Sequence, residues 1–468
     1  MTTTPDDALA RSPYRTIWNL SWPQVLMMLF HFCIGLADVW TAGRIQKEVQ
    51  ASLGIITQSL FFFLVLAMAV ANGSVAAISQ SSGAGLFRRV QRYVGLSITI
   101  ALIFGAVILV AGLPIKHLLL AALQVPPSMR DITDYFLGVY LLLLPTYYML
   151  IITNAVFRAR RQVIYPLMSM GVVALINTMG DLGLGLGWWG LPNLGYKGLA
   201  WATFASVTGG AVCNLFILRH RKLLTRASFA PWRWTKRALP YLYKVAWPSG
   251  VFQLVWQSGY LALFAIVGSL PKDNVVALAG MTAGLRVESL LFLPAAAFNM
   301  TASILIGHHL GAGDPQEAKR NGFRILIIGF VFISCITLIL WQFIEPIAGF
   351  IAPDLAVRAE SVNYLFYNCL AIPFTLTTMV LAGAFNGAGA TIFNLVIMGA
   401  STWLLRLPLA WLLGHEVMHG PTGIWIAMLS SQMLQASITL YCFSFKNWWK
   451  YSMIKNRKPR TTNDAPVV

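Results

Sequence analysis

Successive apolar runs, each of about 20 residues or more, govern what this chain of 468 residues can become. In hydrocarbon only helices and closed barrels satisfy every backbone polar group. Bounding the runs by charge or Gly/Pro clusters places spans at 17–43, 51–82, 93–120, 132–156, 164–189 and 196–218, then 241–269, 275–308, 323–344, 360–385, 392–413 and 422–445. The reading is twelve membrane helices. Composition agrees, since only 11% of residues are charged and 57% are hydrophobic, whereas soluble domains carry about 25% charged residues.

A formal charge of +18 raises the question of nucleic acid, which the distribution of cations answers in the negative. The Lys and Arg residues cluster in alternate loops, leaving Arg44, Lys47, Lys116, Arg130, Lys197, Lys272 and Arg358 on the opposite side. This is the positive-inside pattern of a cell (inner) membrane protein with both termini cytoplasmic. The first eighteen residues lack the layout of a cleavable signal, so the first span is expected to be retained as the targeting signal. Cys33, Cys213, Cys335, Cys369 and Cys442 are odd in number and lie in apolar runs, which predicts neither a disulfide framework nor a cysteine metal site.

The chain repeats itself. Setting the run from Val245 beneath that from Leu20 aligns Trp22-Pro23 with Trp247-Pro248 and Gly43 with Gly268 without a gap. Gln80-Ser-Ser-Gly-Ala-Gly then matches His308-His-Leu-Gly-Ala-Gly, and Ala155-Val-Phe-Arg-Ala matches Ala384-Phe-Asn-Gly-Ala. Three matches in one order define two halves of six spans, and an even number gives both the same orientation. The expected fold is an all-α polytopic membrane protein, two six-helix bundles related by a pseudo-two-fold along the membrane normal, around a central cleft. The expected divisions are a lobe at 1–218, a basic cytoplasmic linker at 219–240, a second lobe at 241–445 and a basic cytoplasmic tail at 446–468. Trp232 and Trp234 in the linker read as interfacial anchors.

Of the sixteen acids, thirteen fall in tails, loops or span ends, and three lie in span interiors: Asp38, Asp181 and Glu288. An ionisable side chain there costs about 3 kcal/mol or more and is a functional candidate. Asp38 aligns with Leu263 in the second half, so the architecture itself does not require an acid. Asp38 lies about 7 Å inside the outer end of its span; Asp181, with Asn177 one turn below it, and Thr203 reach similar depths. Carboxylates that are buried and close together can exchange a proton near neutral pH, and the same oxygens can coordinate sodium; both remain open. Arg286 and Glu288 do not face each other on one helix. Glu288 is expected to pair with Arg406, and Arg286 could reach Asp38. Pro23 and Pro248 each offer a bend.

These residues resemble the multidrug and toxic compound extrusion (MATE) family. The resemblance is carried by Gly35-Leu-Ala-Asp-Val-Trp-Thr-Ala-Gly43, Gln80-x-x-Gly-Ala-Gly, Gly311-Ala-Gly-Asp-Pro315, Leu194-Gly-Tyr-Lys-Gly-Leu-Ala-Trp-Ala-Thr203 and Gly420-Pro-Thr-Gly-Ile-Trp425. It implies an antiporter that exports small, bulky, often cationic organic compounds from the cytoplasm in exchange for protons or sodium ions. The first-lobe cation site it implies maps onto Asp38, Asn177, Asp181, Thr203 and Asn154. Some members carry an essential acid in the tenth helix; span 10 here has none in its interior. Alternating access would then follow, the lobes rocking as cation binding bends span 1 near Pro23 and aromatic residues of the cleft hold a planar cation. The expected partners are such substrates and the bilayer, for a monomer that is not an enzyme and has no cofactor beyond H+ or Na+.

Two other readings compete. A lipid-linked precursor flippase or polysaccharide exporter of related architecture would need cations in the cleft for a pyrophosphate, where the first-lobe spans carry acids. His415-Glu416-Val-Met-His419 fits the zinc hydrolase pattern, but it lies between Gly414 and Gly420-Pro421, in a stretch too short to be one face of a stable helix.

Overall fold

The computed structural model describes residues 12–122, 125–351 and 354–454. The start of the first expected lobe, before residue 12, and the tail beyond residue 454 lie outside the described residues. The helices in chain order are α1 (Pro13–Ile45), α2 (Lys47–Gly83), α3 (Phe87–Ala122), α4 (Pro127–Ala159), α5 (Ile164–Gly180), α6 (Tyr196–His220) and α7 (Trp232–Gly268). They continue with α8 (Asn274–Gly311), α9 (Pro315–Gln342), α10 (Ile344–Ile351), α11 (Leu355–Ala388), α12 (Thr391–Ala400), α13 (Leu407–Trp411) and α14 (Pro421–Phe445). Twelve stretches are long and apolar enough to cross a membrane, and they coincide with the expected spans. The described residues contain no strand.

Several helices outrun their apolar cores. α3 begins at Phe87 and α7 at Trp232, each continuing through arginines that lie beyond the hydrocarbon but remain good helix formers. α9 starts at Pro315 because Asp314 caps it, its carboxylate accepting from the Glu317 N–H at 2.9 Å. The short α10 was not evident in the sequence, where Glu345-Pro346 read as the end of a span. Span 11 is composite: α12 and α13 are joined by a π-helical turn, Ser401–Arg406, and a second π turn, Leu412–Val417, completes it. Pro408 cannot donate to the preceding turn, which favours the wider winding there.

Contacts divide the chain inside two helices, after Val25 in α1 and before Trp247 in α7, rather than within 219–240. Both divisions lie within two residues of the aligned prolines, Pro23 and Pro248.

The first unit, residues 26–246, is centred on α4, which packs against α2, α3 and α6. The start of α7 belongs to it: Gln80 Nε2 donates to the Tyr241 hydroxyl at 3.1 Å, and Trp234 meets Tyr93 edge-on at 5.1 Å. These helix starts carry apolar and aromatic faces, and burial keeps them with the bundle they cover.

The second unit, residues 12–25 and 247–454, is centred on α8 and α11. Its apolar core includes Leu263, Met281, Tyr364, Cys369, Ala410 and Met428. The start of α1 is fastened here, with Ser21 and Gln24 at Thr301 and Trp18 edge-on to Phe332 at 5.6 Å.

Candidate functional site

In the first unit, Asn177 and Asp181 stand one turn apart where α5 passes into a π-helical turn, Asp181–Gly185. The sequence Gly180-Asp-Leu-Gly-Leu-Gly-Leu-Gly187 is rich in the residue least suited to a helix interior, and such turns recur at functional sites. The glycines also permit close approach. A Cβ at Gly180 would lie 2.6 Å from that of Ala202, and one at Gly198 would lie 2.3 Å from the Leu184 carbonyl oxygen. α6 therefore lies directly against this turn and carries Thr203 into the group.

Asp38 reaches the same place from α1, its carboxylate facing Asp181 and the Asn177 amide. Tyr140 of α4 completes the set, its hydroxyl facing Thr203 with both carboxylates nearby, and Tyr147 approaches Asp38 from two turns further along α4. Asp181 and Asn177 are fully buried, whereas Asp38 and Thr203 are half-buried. Asp38, Asp181, Asn177 and Thr203 thus converge, as their depths in the sequence suggested. Tyr140 and Tyr147 were missed, although seven residues apart in an apolar run they mark one polar edge of a helix.

The group holds two carboxylates and no cation among its described members. Both Asp181 oxygens, Asp38 Oδ1 and both polar atoms of Asn177 are buried without a hydrogen-bond partner of ordinary geometry among the described residues. Neither carboxylate forms an ion pair with a described cation. Ionised carboxylates only accept, so two of them side by side require a proton or a metal cation to be stable in a dry site.

Asn154 is placed elsewhere. Its Oδ1 accepts from Asn214 Nδ2 at 2.8 Å and from Ser169 Oγ at 3.1 Å, a network that also ties Asn214 to Thr153 at 2.9 Å.

The repeat supplies an internal comparison. A Cβ at Gly423 would lie 2.4 Å from the Leu413 carbonyl oxygen, reproducing the joint of Gly198 with Leu184. Counting from these matched joints, Asp181 and Thr203 correspond to Ala410 and Met428, and the aligned prolines pair Asp38 with Leu263, all in the apolar core of the second unit. By the same count Asn177 corresponds to Arg406, which is buried, so the second unit keeps polar groups in this region but has no carboxylate at the positions of Asp38 and Asp181.

Glu288 and Arg406 share a buried region of the second unit without the direct ion pair expected between them. Tyr364 donates to Glu288 Oε2 at 2.6 Å, while Arg406 Nε donates to Ser431 Oγ at 2.8 Å. The two charges act on each other at longer range. Tyr364 is buried in the apolar core, and its hydroxyl is the group that reaches the carboxylate. Arg286 is exposed. His415 stacks on Trp411 at 5.7 Å between centroids and meets Ser269 Oγ at 3.1 Å. The helix ends before His419, which takes a left-handed φ of 50°, so the two histidines do not share a helical face. No group of three His, Cys, Asp or Glu side chains suited to a metal occurs among the described residues.

Comparison with known proteins gives a consistent result. The MatE family model matches residues 23–182 and again 248–412, starting at the two aligned prolines. A probable multidrug resistance protein NorM from Thermotoga maritima is 25% identical over 447 residues, covering 93% of this chain and 92% of that protein. The multidrug resistance protein PmpM of Pseudomonas aeruginosa is 26% identical over 431 residues, covering 89% of this chain and 88% of that protein. The outward-facing structure of a multidrug resistance MATE family transporter of the MOP superfamily superposes with a TM-score of 0.87 over 98% of this chain and 100% of that one, at 18% identity. Matched in both halves of its own repeat, and sharing a twelve-span fold with solved transporters, this multi-pass membrane protein belongs to the MatE family of multidrug and toxic compound extrusion transporters.

Proposed function

We propose that the protein is a cation-coupled antiporter that exports bulky organic, often cationic compounds from the cytoplasm by alternating access. The observation that carries this reading is the pair Asp38 and Asp181, facing each other with no ion-pair partner among the described residues, at positions that the second unit fills with Leu263 and Ala410. Buried carboxylates are costly in a membrane, and this pair has no counterpart at the equivalent positions of the other half, which argues for use rather than packing. The names of the relatives from Thermotoga maritima and Pseudomonas aeruginosa support multidrug resistance as the setting.

In this mechanism the coupling cation, H+ or Na+, binds between Asp38 and Asp181. A proton would be shared by the two carboxylates; a sodium ion would take oxygens from both, from Asn177 and from Thr203. Binding draws α1 toward the π turn of α5, and the helix yields near Pro23, where the missing backbone donor weakens it. Tyr140 and Thr203 hold the carboxylates in register. The termini and the basic loops face the cytoplasm of a cell (inner) membrane, and the protein works as a monomer with no cofactor.

The test is efflux of a fluorescent organic cation from proteoliposomes, with a proton or a sodium gradient imposed separately, for wild type and Asp38→Asn. Export driven by one gradient and lost in the variant is expected. Unchanged gradient-driven export by Asp38→Asn would overturn the reading.

A further inference from the structure

The cationic end of the first unit contains an open cavity of about 550 Å3, lined by Gly85, Leu86, Phe87, three arginines (Arg88, Arg89 and Arg92) and Trp234. From the pocket's arginines and their surroundings we infer a binding site for the phosphate headgroup of an anionic phospholipid.

Charge is the first argument. Residues 84–95, 157–165 and 218–246, which form this end of the unit, contain no Asp or Glu. None of the three lining arginines forms an ion pair among the described residues. Guanidinium groups crowded without carboxylates repel one another, and a phosphate relieves that repulsion while accepting bidentate hydrogen bonds. The first turn of α3 lies in the same lining and turns its positive end toward the cavity.

Aromatic packing is the second argument. Arg92 lies over the Trp234 ring at 5.7 Å, Arg89 over Tyr93 at 5.8 Å, and Arg160 over Phe87 at 5.8 Å. These contacts hold the cations splayed around the opening rather than extended into water. Arg160 is itself drawn in: its Nε is buried without a hydrogen-bond partner, and burial pushes its guanidinium below its ordinary range. A tryptophan beside arginines at the end of a membrane span is the arrangement expected where headgroups lie.

Position selects lipid over a soluble phosphate. The pocket is formed by the starts of α3 and α7, ahead of their apolar spans; Phe87 in its lining is exposed, as is Trp232, two residues before the lining Trp234. A lipid can place its acyl chains against them while its phosphate meets Arg88, Arg89 and Arg92. Basic pockets on the cytoplasmic face meet a leaflet that is rich in anionic lipid.

The test is native mass spectrometry of the full chain in detergent, titrated with phosphatidylglycerol or phosphatidylcholine. Wild type is expected to retain phosphatidylglycerol preferentially. Arg88→Gln, Arg89→Gln and Arg92→Gln together should abolish the preference, at about fivefold per arginine, with the Arg237→Gln control unchanged. If the triple variant fails to fold, the exposed Arg88→Gln alone carries the test through the same fivefold loss. Equal retention of the two lipids, or an unchanged preference in the folded variant, would overturn the proposal. So would complete displacement of the lipid by millimolar inorganic phosphate, which would assign the pocket to a soluble anion.

Discussion

Thr301 of α8 accepts a hydrogen bond from the Gln24 side-chain amide of α1 at 2.9 Å, with Ser21 Oγ 3.0 Å away. All three residues are buried, so this cluster fastens the start of α1 to the second unit. Thr301→Val should therefore lower stability by about 1–2 kcal/mol, read as a fall in melting temperature in detergent. Thr301→Ser, which keeps the hydroxyl, should recover most of the loss.

The joint of α6 against the π turn predicts a linked pair of effects. A methyl group at Gly198 would press on the Leu184 carbonyl and one at Gly423 on the Leu413 carbonyl. Gly198→Ala and Gly423→Ala should each cost about 1–3 kcal/mol in stability. Only Gly198→Ala moves the turn that carries Asp181, so it should depress gradient-driven efflux below what its loss of folded protein explains. Efflux normalised to folded transporter checks this.

Tyr364→Phe removes the donor that Glu288 holds at 2.6 Å in a site where both side chains are buried. Loss of a hydrogen bond to a buried carboxyl should cost about 1.5–3 kcal/mol, measured by thermal unfolding. In a Glu288→Gln background, where the acceptor is neutral, the same change should cost less. A double-mutant cycle gives the coupling directly.

Chelation supplies a fourth check. His415 is engaged with Trp411 and Ser269, and His419 lies beyond the helix end. Treating the purified protein with EDTA should leave its melting temperature unchanged, and His415→Ala should reduce stability by about 1 kcal/mol through lost stacking.

Period and length placed the spans because hydrocarbon thickness imposes both, and the aligned prolines and glycines exposed the duplication. Depth counting along straight helices brought Asp38, Asn177, Asp181 and Thr203 to one level. It did not bring in Tyr140, which carries no charge to draw attention; Asn154 entered the set through the family resemblance rather than through depth, and its partner Asn214 lies sixty residues away. The pairing of Glu288 was misjudged for a related reason. Opposite charge suggested Arg406, but side-chain reach and helix rotation gave the carboxylate to Tyr364 and the guanidinium to Ser431. The π turns were equally invisible, because winding responds to Pro408 and to packing against the next helix as well as to local composition.

The places where α1 and α7 change allegiance bear on the origin of the gene. Each half of the sequence sends the start of its first helix to the bundle built by the other half. A half-length ancestor could complete its bundle only by trading that segment with a second copy, in the manner of a domain-swapped dimer. Duplication and fusion would then have joined two chains already interlocked, leaving one copy free to replace a buried leucine with an acid.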